Sequence, residues 1–366
     1  MSNRRNWLKQ TSLGIVGLGI IPFERFAIPT KEDLIEEKNG NLIRLRSNEN
    51  PYGPSPLARK AFADNVTISN RYNWDIETQI IAAIALKNSV KEENILLGAG
   101  STEILDLAAK WASLGKDNYV IADPSYDYWT VTLDTLGLAK NKVPLTPDKK
   151  INLQAMLQAV NKETKLVYIC NPNNPTGTIC ERSELVNFVS SIPLTTLVLI
   201  DEAYLEFTQQ QSLSNLIDTY PNLIIAKTFS KIYGLAGARI GFAMASNTMI
   251  NNLASIQSNT NNSVSVLSKL AAMASLKDNK FVSDCHSLNK ATREYTISEL
   301  KKLNCECIES NTNFIYFSLA NFKKDYFKLL ENNNIQGTRI YEENGKWTRI
   351  TVGTMEEMKK FILALK

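Results

Sequence analysis

The sequence predicts an α/β protein with a large domain, built on a mostly parallel sheet, and a smaller α+β domain. Three observations support this fold class. Short apolar runs alternate with amphipathic stretches, as in doubly wound sheets. The runs are continuous rather than alternating, which is typical of strands covered on both faces. The length of 366 residues also exceeds that of one ordinary domain.

Six apolar runs are predicted to be strands of the large sheet. They are Ile95–Leu97, Tyr119–Ala122, Leu166–Cys170, Leu197–Ile200, Leu223–Ala226 and Ile240–Met244. Amphipathic stretches between them, such as Thr102–Trp111 and Ile151–Val160, are predicted to be helices.

The pattern changes after about residue 255. A long helix is predicted over Leu267–Leu276, then a strand at Asn313–Ser318 and a closing segment around Arg349. We therefore predict four regions: an N-terminal signal or flexible segment (1–30), an arm that forms part of the small domain (31–68), the large domain (69–255) and the small C-terminal domain (256–366).

Composition excludes several classes of function. The 41 basic and 37 acidic residues give a net charge of +4, which is too balanced to indicate nucleic-acid binding. His286 is the only histidine, so a histidine-rich metal site is excluded. Five cysteines do not form a disulfide framework in a chain of this length, and we predict no metal site.

The first thirty residues resemble a twin-arginine export signal. Arg4 and Arg5 are followed by Trp7 and by an apolar run, Leu13–Ile21, that is too short to span a bilayer. Asn3 occupies the place of the usual Ser or Thr. We therefore expect export to the periplasm. The alternative is a cytoplasmic protein whose N-terminus is a flexible basic segment or a small amphipathic helix.

Polar segments follow five of the predicted strands. In open α/β sheets, ligands bind beyond the carboxyl ends of the strands, so these segments are expected to meet in one site. They are Gly98–Glu103, Asp123–Tyr126, Asn171–Gly177, Asp201–Tyr204 and Lys227–Lys231.

The glycine turn before Ser101 and Thr102 suits an anion at a helix N-terminus. An ordinary strand–helix turn with a Ser cap explains the turn equally well in isolation. The spacing Gly-x-Gly-x-x-Glu lacks the third glycine of a dinucleotide fingerprint, which disfavours nicotinamide binding.

The remaining polar residues match the parts of a pyridoxal-phosphate site. A carboxylate such as Asp201, at the end of an apolar strand, would be stabilised by a cationic pyridinium nitrogen. Tyr126 could stack on the ring, although packing alone also explains a tyrosine there. Asn174 and Tyr204 could both hydrogen-bond the phenolic oxygen of the ring.

Lys231 follows Ser230 in glycine-rich, uncharged surroundings, which is unusual for a solvated surface lysine. Arg239, eight residues further on, offers a bidentate fork to a phosphate group. The sequence therefore indicates Lys231 as the residue that holds the cofactor as a Schiff base.

With these motifs in order from about residue 42 to the C-terminus, the chain resembles the class I/II aminotransferases of the aspartate-aminotransferase-like fold, most closely the histidinol-phosphate aminotransferase branch. The matching segments are Ser47–Gly53, Asn70–Tyr72, Gly98–Glu103, Pro172–Gly177, Asp201–Tyr204, Thr228–Gly241 and Arg349–Thr354.

The resemblance implies a role for each matching residue. Lys231 would bind the cofactor and move the substrate proton; Asp201 would pair with the ring nitrogen, and Tyr204 with Asn174 would hold the phenolic oxygen. Tyr126 would stack on the ring. The phosphate cup would consist of Ser101, Thr102, Thr228, Ser230 and Arg239, with Tyr72 reaching it from the second subunit of a homodimer. The substrate would be bound by Arg349, and also by Arg339, Asn50 and Tyr52.

The resemblance implies an enzyme that transfers an amino group between an amino compound and a 2-oxo acid in a ping-pong cycle. The amino donor stays open between histidinol phosphate and an aromatic or other amino acid. The alternatives are a decarboxylase of the threonine-phosphate type and a non-catalytic binding protein. Departures from the family pattern include Lys227 in place of an arginine and Ala99 in place of an amide residue.

Overall fold

The computed structural model describes residues 42–114 and 117–366, and Ile43–Lys366 form one compact unit. The twin-arginine motif and the whole predicted N-terminal segment (1–30) lie outside the described residues. Among the helices that the structure describes, none is both long and apolar enough to cross a membrane.

Helices and strands alternate along most of the chain. The helices are α1 (Pro56–Asn65), α2 (Trp74–Asn88), α3 (Ser101–Ala112), α4 (Val131–Thr135), α5 (Leu153–Ala159), α6 (Arg182–Ser191), α7 (Asn247–Ile256), α8 (Val266–Lys277), α9 (Asn279–Lys302), α10 (Tyr326–Asn332) and α11 (Met355–Leu365). The strands are β1 (Ile43–Arg44), β2 (Ile95–Gly98), β3 (Asn118–Asp123), β4 (Ala139–Pro144), β5 (Thr164–Cys170), β6 (Leu197–Asp201), β7 (Leu223–Thr228), β8 (Gly241–Ala245), β9 (Phe314–Ser318), β10 (Ile335–Gln336), β11 (Ile340–Glu342) and β12 (Trp347–Thr351).

The large sheet has the strand order β2-β8-β7-β6-β5-β3-β4. Strands β7, β6, β5, β3 and β4 are parallel, whereas β8 is antiparallel to both of its neighbours. All six strands predicted for this sheet are present, and the predicted mostly parallel α/β fold is confirmed. Strand β4 is not among the strands predicted from sequence, and the helix predicted over Ile151–Val160 is the shorter α5.

The central strands of this sheet are buried on both faces. Every residue of β6 and β7 is buried, and α3 covers the sheet with a continuous apolar face. Burial of one large aliphatic side chain stabilises a fold by about 1.5–3 kcal/mol, so these strands hold their carboxyl ends rigidly in register. The polar residues that follow these strands are therefore held in fixed positions.

A second hydrophobic core surrounds a small antiparallel sheet with the order β11-β12-β9. Strand β1 pairs with β10, and Leu45 packs into this second core. Helix α8 packs instead against α1, and its residues Ala271 and Ala272 belong to the larger core. The domain boundaries at residues 68 and 255 stay predictions.

Candidate active site

A cavity of about 590 Å³ opens where the strand ends of the large sheet face the small sheet. Twelve of the fifteen residues predicted from sequence to form the site line it. They are Ser101, Thr102, Tyr126, Asn174, Asp201, Tyr204, Thr228, Ser230, Lys231, Arg239, Arg339 and Arg349. We call the side formed by the ends of β5–β7 and the start of α3 the strand-end wall, and the side formed by residues 337–341 and Arg349 the small-sheet wall.

Lys231 follows β7 by three residues and is half-buried because its amine opens onto the cavity. Its Nζ donates a hydrogen bond to the carbonyl of Ser47 (3.2 Å) and lies 5.5 Å from the centre of the Tyr204 ring. Burial and then the nearby positive charge of Arg349 lower the pKa of Lys231 to about 8. The amine therefore titrates close to neutral pH, as a proton-transferring group should.

Asp201 is the last residue of β6 and is buried. The backbone N–H of Ala203 donates to its Oδ1 (3.0 Å), and the hydroxyl of Tyr168 donates to its Oδ2 (3.1 Å). Burial outweighs these stabilising contacts and raises the pKa of Asp201 to about 6. A buried carboxylate held in this way is suited to a cationic partner in the cavity.

Tyr204, Asn174 and Arg349 form one hydrogen-bonded group that joins the two walls. The amide of Asn174 donates to the Tyr204 hydroxyl (3.3 Å), while its carbonyl oxygen accepts a hydrogen bond from Arg349 Nη1 (2.5 Å). Arg349 Nη2 donates to the carbonyl of Arg46 (2.6 Å). The Nε of Arg349 is buried and has no hydrogen-bond partner in the described protein.

The start of α3 forms an anion-binding cradle. Its N-cap is Gly100 at φ +80°, and no side chain caps the helix. A Cβ on Gly100 would lie 2.4 Å from Nη2 of Arg239, so only glycine allows the guanidinium to approach this turn. The hydroxyls of Thr228 and Ser230, which also line the cavity, hydrogen-bond each other (2.9 Å) at the end of β7. Backbone donors, hydroxyls and an arginine together suit a phosphate group.

Tyr126 lines the cavity from the loop after β3. Burial raises the pKa of its hydroxyl, and the negative charge of Asp201 adds to the increase. Its ring and the ring of Tyr128 lie 5.8 Å apart at a tilted angle. The aromatic face near Asp201 is compatible with stacking on a planar ring.

The small-sheet wall carries two arginines that both lie near the ring of Tyr341. The Arg339 guanidinium lies 5.3 Å from the Tyr341 ring and 5.6 Å from the Tyr128 ring, and it is exposed. Arg349 lies 5.5 Å from the Tyr341 ring on the buried side, and only 7% of its surface is exposed. Both guanidinium groups face a cavity that could hold an anionic substrate.

Three predicted site residues do not reach the cavity. Tyr72 is 84% exposed and stacks on Trp74 at 6.2 Å. Asn50 and Tyr52 line a separate small cavity with Cys285, and the Asn50 amide donates to the carbonyl of Ile232 (2.8 Å) and to the Cys285 sulfur (3.4 Å). Asn50 and Tyr52 do not line the main cavity, because the chain turns away from it after Glu49, and their substrate-binding role stays a prediction.

Several residues that line the cavity were not predicted from sequence. Residues 46–49 belong in part to a segment that matched the family pattern, but they were given no role. Tyr128 lies two residues after Tyr126, and this spacing was the only local signal for it. Tyr341 had no signal, because it reaches the cavity through the pairing of β11 with β12.

Lys227, a departure from the family pattern, lies behind the strand-end wall. Its Nζ forms ion pairs with Glu206 (2.7 Å) and Glu202 (3.4 Å). Burial alone would lower the pKa of Lys227, but the two carboxylates raise it. Lysine therefore keeps its charge here and ties β7 to the segment that follows Asp201.

The residues present fit pyridoxal phosphate. The cradle at α3 supplies donors for a phosphate, Asp201 supplies a buried carboxylate, and Lys231 supplies an amine that is partly unprotonated near neutral pH. Arg349 adds a positive charge to the cavity lining, and its Nε is a buried donor without a partner in the described protein, which costs about 1–3 kcal/mol.

Comparisons with known proteins agree with this geometry. The family model "Aminotransferase class I and II" matches residues 40–365. A curated histidinol-phosphate aminotransferase from Moorella thermoacetica is 34% identical over 331 residues, which cover 89% of this chain and 85% of that protein.

Two solved structures share the fold. One is histidinol-phosphate aminotransferase from Sinorhizobium meliloti in complex with pyridoxal 5′-phosphate (TM-score 0.81, 24% identity, 96% of this chain and 98% of that one). The other is L-threonine-O-3-phosphate decarboxylase from Porphyromonas gingivalis (TM-score 0.74, 21% identity, 88% and 98%). At these identities both likenesses concern the fold alone.

The family match extends over nearly all of the described chain and includes the whole cavity. Transfer of amino groups with pyridoxal 5′-phosphate as cofactor is the activity of this family, and the cavity contains the charged groups that this activity requires. The chain therefore belongs to the class I and II aminotransferases, and it is a pyridoxal-phosphate-dependent aminotransferase.

Proposed function

We propose that this cavity exchanges an amino group between an anionic amino compound and a 2-oxo acid, with Lys231 as the proton-transferring group. The observation that carries the proposal is that a low-pKa amine and a buried guanidinium face the same cavity. The guanidinium of Arg349 would bind the substrate anion, and the amine of Lys231 would serve the reacting carbon.

The proposed amino donor is histidinol phosphate. The Moorella thermoacetica relative is named for this substrate, and a phosphate dianion suits the two arginines of the small-sheet wall. This donor would give the protein a role in histidine biosynthesis. Aromatic amino acids, which present one carboxylate to the same arginines, are the second class of donor that we propose.

The strand-end wall is proposed to hold the cofactor. Asp201 would pair with the ring nitrogen, Asn174 and Tyr204 with the phenolic oxygen, and Tyr126 with the ring face. The phosphate would be bound by Ser101, Thr102, Thr228, Ser230 and Arg239. When bound, pyridoxal phosphate supplies an electron sink for the electron pair that remains when a Cα proton departs.

Lys231 is proposed to take that proton and return it at the neighbouring carbon in each half of the ping-pong cycle. A pKa of about 8 leaves roughly a tenth of the amine unprotonated at pH 7, whereas an ordinary lysine has well under a thousandth. Burial of the amine thus supplies the base that the reaction requires.

A half-reaction screen tests the proposal. The purified holoenzyme is mixed with histidinol phosphate, with aromatic amino acids and with threonine phosphate, and the visible absorption of the cofactor is followed. We expect histidinol phosphate to convert the spectrum, and we expect no carbon dioxide release from threonine phosphate, which carries the carboxylate that a decarboxylase would remove. Conversion only by another donor would show that the proposed substrate is wrong, and carbon dioxide release would indicate a decarboxylase. Borohydride reduction and peptide mapping should label Lys231.

We further propose a homodimer in which Tyr72 reaches the cavity of the second subunit. Its ring is exposed and does not line the cavity of its own subunit, and both observations support this arrangement. Mixing inactive Tyr72→Ala and Lys231→Ala chains should restore activity, because one cavity of each mixed dimer would be intact. Random pairing should recover roughly a quarter of the wild-type activity. No recovery, in a mixture shown to contain mixed dimers, would contradict the shared site.

Export to the periplasm is the proposed localisation, and it rests on the Arg4-Arg5 motif and the short apolar run that follows. Cell fractionation of the full chain should find the protein in the periplasm. Replacement of both arginines by lysine should retain it in the cytoplasm. A cytoplasmic wild-type protein would favour the alternative localisation.

A further inference from the structure

Residues 46–49, between β1 and α1, contact both walls of the cavity. The carbonyl of Arg46 accepts a hydrogen bond from Arg349 (2.6 Å), and the carbonyl of Ser47 accepts one from Lys231 (3.2 Å). The next residue, Asn48, also lines the cavity, and its side-chain amide donates a hydrogen bond to the Tyr204 hydroxyl (3.0 Å). This segment is therefore in direct contact with the groups proposed to bind and to react.

Asn48 is held firmly in place. Only 1% of its surface is exposed, and its φ of +54° lies in the left-handed region that asparagine tolerates better than most residues. Its N–H donates to the hydroxyl of Thr351 on β12 (2.9 Å), and its carbonyl accepts from the amide of Asn313 (3.0 Å). The backbone on both sides of its Cα is thus anchored to the small sheet.

The Thr351 hydroxyl also determines which way the Asn48 amide points. Because this hydroxyl accepts the N–H of Asn48, its own hydrogen is free to be donated to Oδ1 of Asn48 (3.1 Å). The nitrogen of the amide then points the other way and donates to the hydroxyl of Tyr204 (3.0 Å). The orientation follows from the hydrogen-bond pattern and requires asparagine.

The Tyr204 oxygen consequently accepts two amide hydrogens, one from Asn48 and one from Asn174 (3.3 Å). A phenol oxygen has two acceptor positions, so its own hydrogen must point elsewhere and can only be donated. Burial raises the pKa of Tyr204, which keeps this hydrogen in place near neutral pH. The charged and titratable groups that face Tyr204 are Arg349, Cys170, Asp201 and Lys231.

We propose that Asn48 is a positioning residue that makes Tyr204 an obligate hydrogen-bond donor toward the cavity. This inference rests on the proposed function, in which Tyr204 donates to the phenolic oxygen of the cofactor. Such a bond stabilises the anionic form of that oxygen and so lowers the pH at which the bound chromophore changes its visible absorption. Asn48 would strengthen the bond by polarising the Tyr204 hydroxyl.

The test is a visible pH titration of the full-length holoenzyme and its variants. Asn48→Gly removes the amide but accepts a positive φ, so the backbone bonds to Thr351 and Asn313 can remain. Tyr204→Phe removes the hydroxyl itself. We expect the midpoint to rise by roughly one pH unit in Tyr204→Phe and by about 0.4–0.5 units in Asn48→Gly, which are near the upper and lower limits of the effect of one neutral hydrogen bond.

The double variant separates positioning from a general structural effect. If Asn48 acts through Tyr204, Asn48→Gly should add nothing to the midpoint in the Tyr204→Phe background. A second variant, Asn48→Asp, keeps the acceptor for Thr351 but would draw the Tyr204 hydrogen toward itself, so its midpoint should rise more than that of Asn48→Gly. This variant also covers the case in which Asn48→Gly does not fold.

Each contrary result has a distinct meaning. A shift in Tyr204→Phe without a shift in Asn48→Gly would overturn the inference alone, as would a full additional shift in the double variant. An unchanged midpoint in Tyr204→Phe would overturn the role proposed for Tyr204, and the inference with it.

Discussion

The two walls of the cavity hold their charges in different ways. On the strand-end wall, Asp201 follows a strand that is buried along its whole length, and neighbouring parallel strands fix its position. On the small-sheet wall, Arg339 is exposed and stacks only on tyrosine rings, while Arg349 lies buried on β12. A rigid, desolvated wall suits a permanently bound cofactor, whereas a more open wall suits a substrate that must enter and leave.

The two walls also interact electrostatically. The positive charge of Arg349, on the small-sheet wall, contributes to the lowered pKa of Lys231 on the opposite side. Binding of a substrate anion at Arg349 would offset that charge. The substrate side can therefore influence the proton affinity of the amine without contacting it.

The largest effect is expected from Lys231→Ala, which removes the proposed proton-transferring group. Amino transfer should slow by about 10²–10⁴-fold or more, as expected for loss of a positioned acid–base group. Single-turnover kinetics with the loaded variant measure this loss. Lys360→Ala, on the exposed face of α11, is the matched control and should retain full activity. A Lys231→Ala enzyme with near-normal turnover would remove Lys231 from the chemistry.

Asp201→Asn should have opposite effects on the protein without and with its cofactor. In the cofactor-free protein the pKa of Asp201 is raised to about 6, above its ordinary value of 3.8. The stability that this group contributes is therefore present below pH 3.8 and is lost as the pH rises through about 6. The loss amounts to about 3 kcal/mol, so the cofactor-free variant should be more stable than the wild type at pH 7.5.

With the cofactor bound, we expect the wild type rather than Asp201→Asn to be the more stable protein. A charged hydrogen bond contributes about 1.5–3 kcal/mol, so Asp201→Asn should bind pyridoxal phosphate roughly 10–100-fold more weakly. Urea unfolding at pH 4 and 7.5, with and without cofactor, measures both effects. Asp284→Asn, on the exposed side of α9, controls for the loss of a carboxylate. Equal pH profiles for the cofactor-free Asp201→Asn and wild-type proteins would contradict the raised pKa.

The strand-end wall was the more predictable of the two. Asp201 and Lys231 could be located from sequence because each closely follows a continuous apolar run, and parallel strands bring such positions together. The edge strand β4 could not be predicted from sequence, because three consecutive polar residues, Lys140, Asn141 and Lys142, interrupt the apolar pattern of a strand. Charged residues are common on edge strands, where they discourage pairing with other chains.

The small-sheet wall depends on contacts between distant parts of the chain. Asn48 meets Thr351 across 303 residues, and Tyr341 reaches the cavity only through strand pairing in the small sheet. Neither the periodicity of apolar residues nor the spacing of a local motif can predict such contacts. For the same reason, the positions of Asn50 and Tyr52 could not be predicted from sequence. Their motif matches the family, but their side chains line a different cavity.

An intermediate effect is expected from Arg349, and two variants separate its charge from its shape. Arg349→Gln loses the fork and the charge, so kcat/KM for the amino donor should fall roughly 10–100-fold, and the pKa of Lys231 should rise above 8. Arg349→Lys keeps the charge, so substrate binding should weaken while the pKa of Lys231 stays near 8. The pH dependence of cofactor uptake by the cofactor-free enzyme reports this pKa. An unchanged uptake midpoint in Arg349→Gln would show that the two walls are not coupled.

The smallest effect is expected from Arg339→Gln. Arg339 is exposed and lies between the rings of Tyr128 and Tyr341, so water screens its attraction for a substrate anion. An exposed charge pair contributes up to about 1 kcal/mol, so KM should rise at most roughly fivefold while kcat stays constant. Because salt also screens exposed charges, the difference between the variant and the wild type should shrink as ionic strength increases, whereas the Arg349 effect should persist. A large, salt-independent effect of Arg339→Gln would mean that this arginine becomes buried against the substrate. The small-sheet wall would then be as well shielded from water as the strand-end wall.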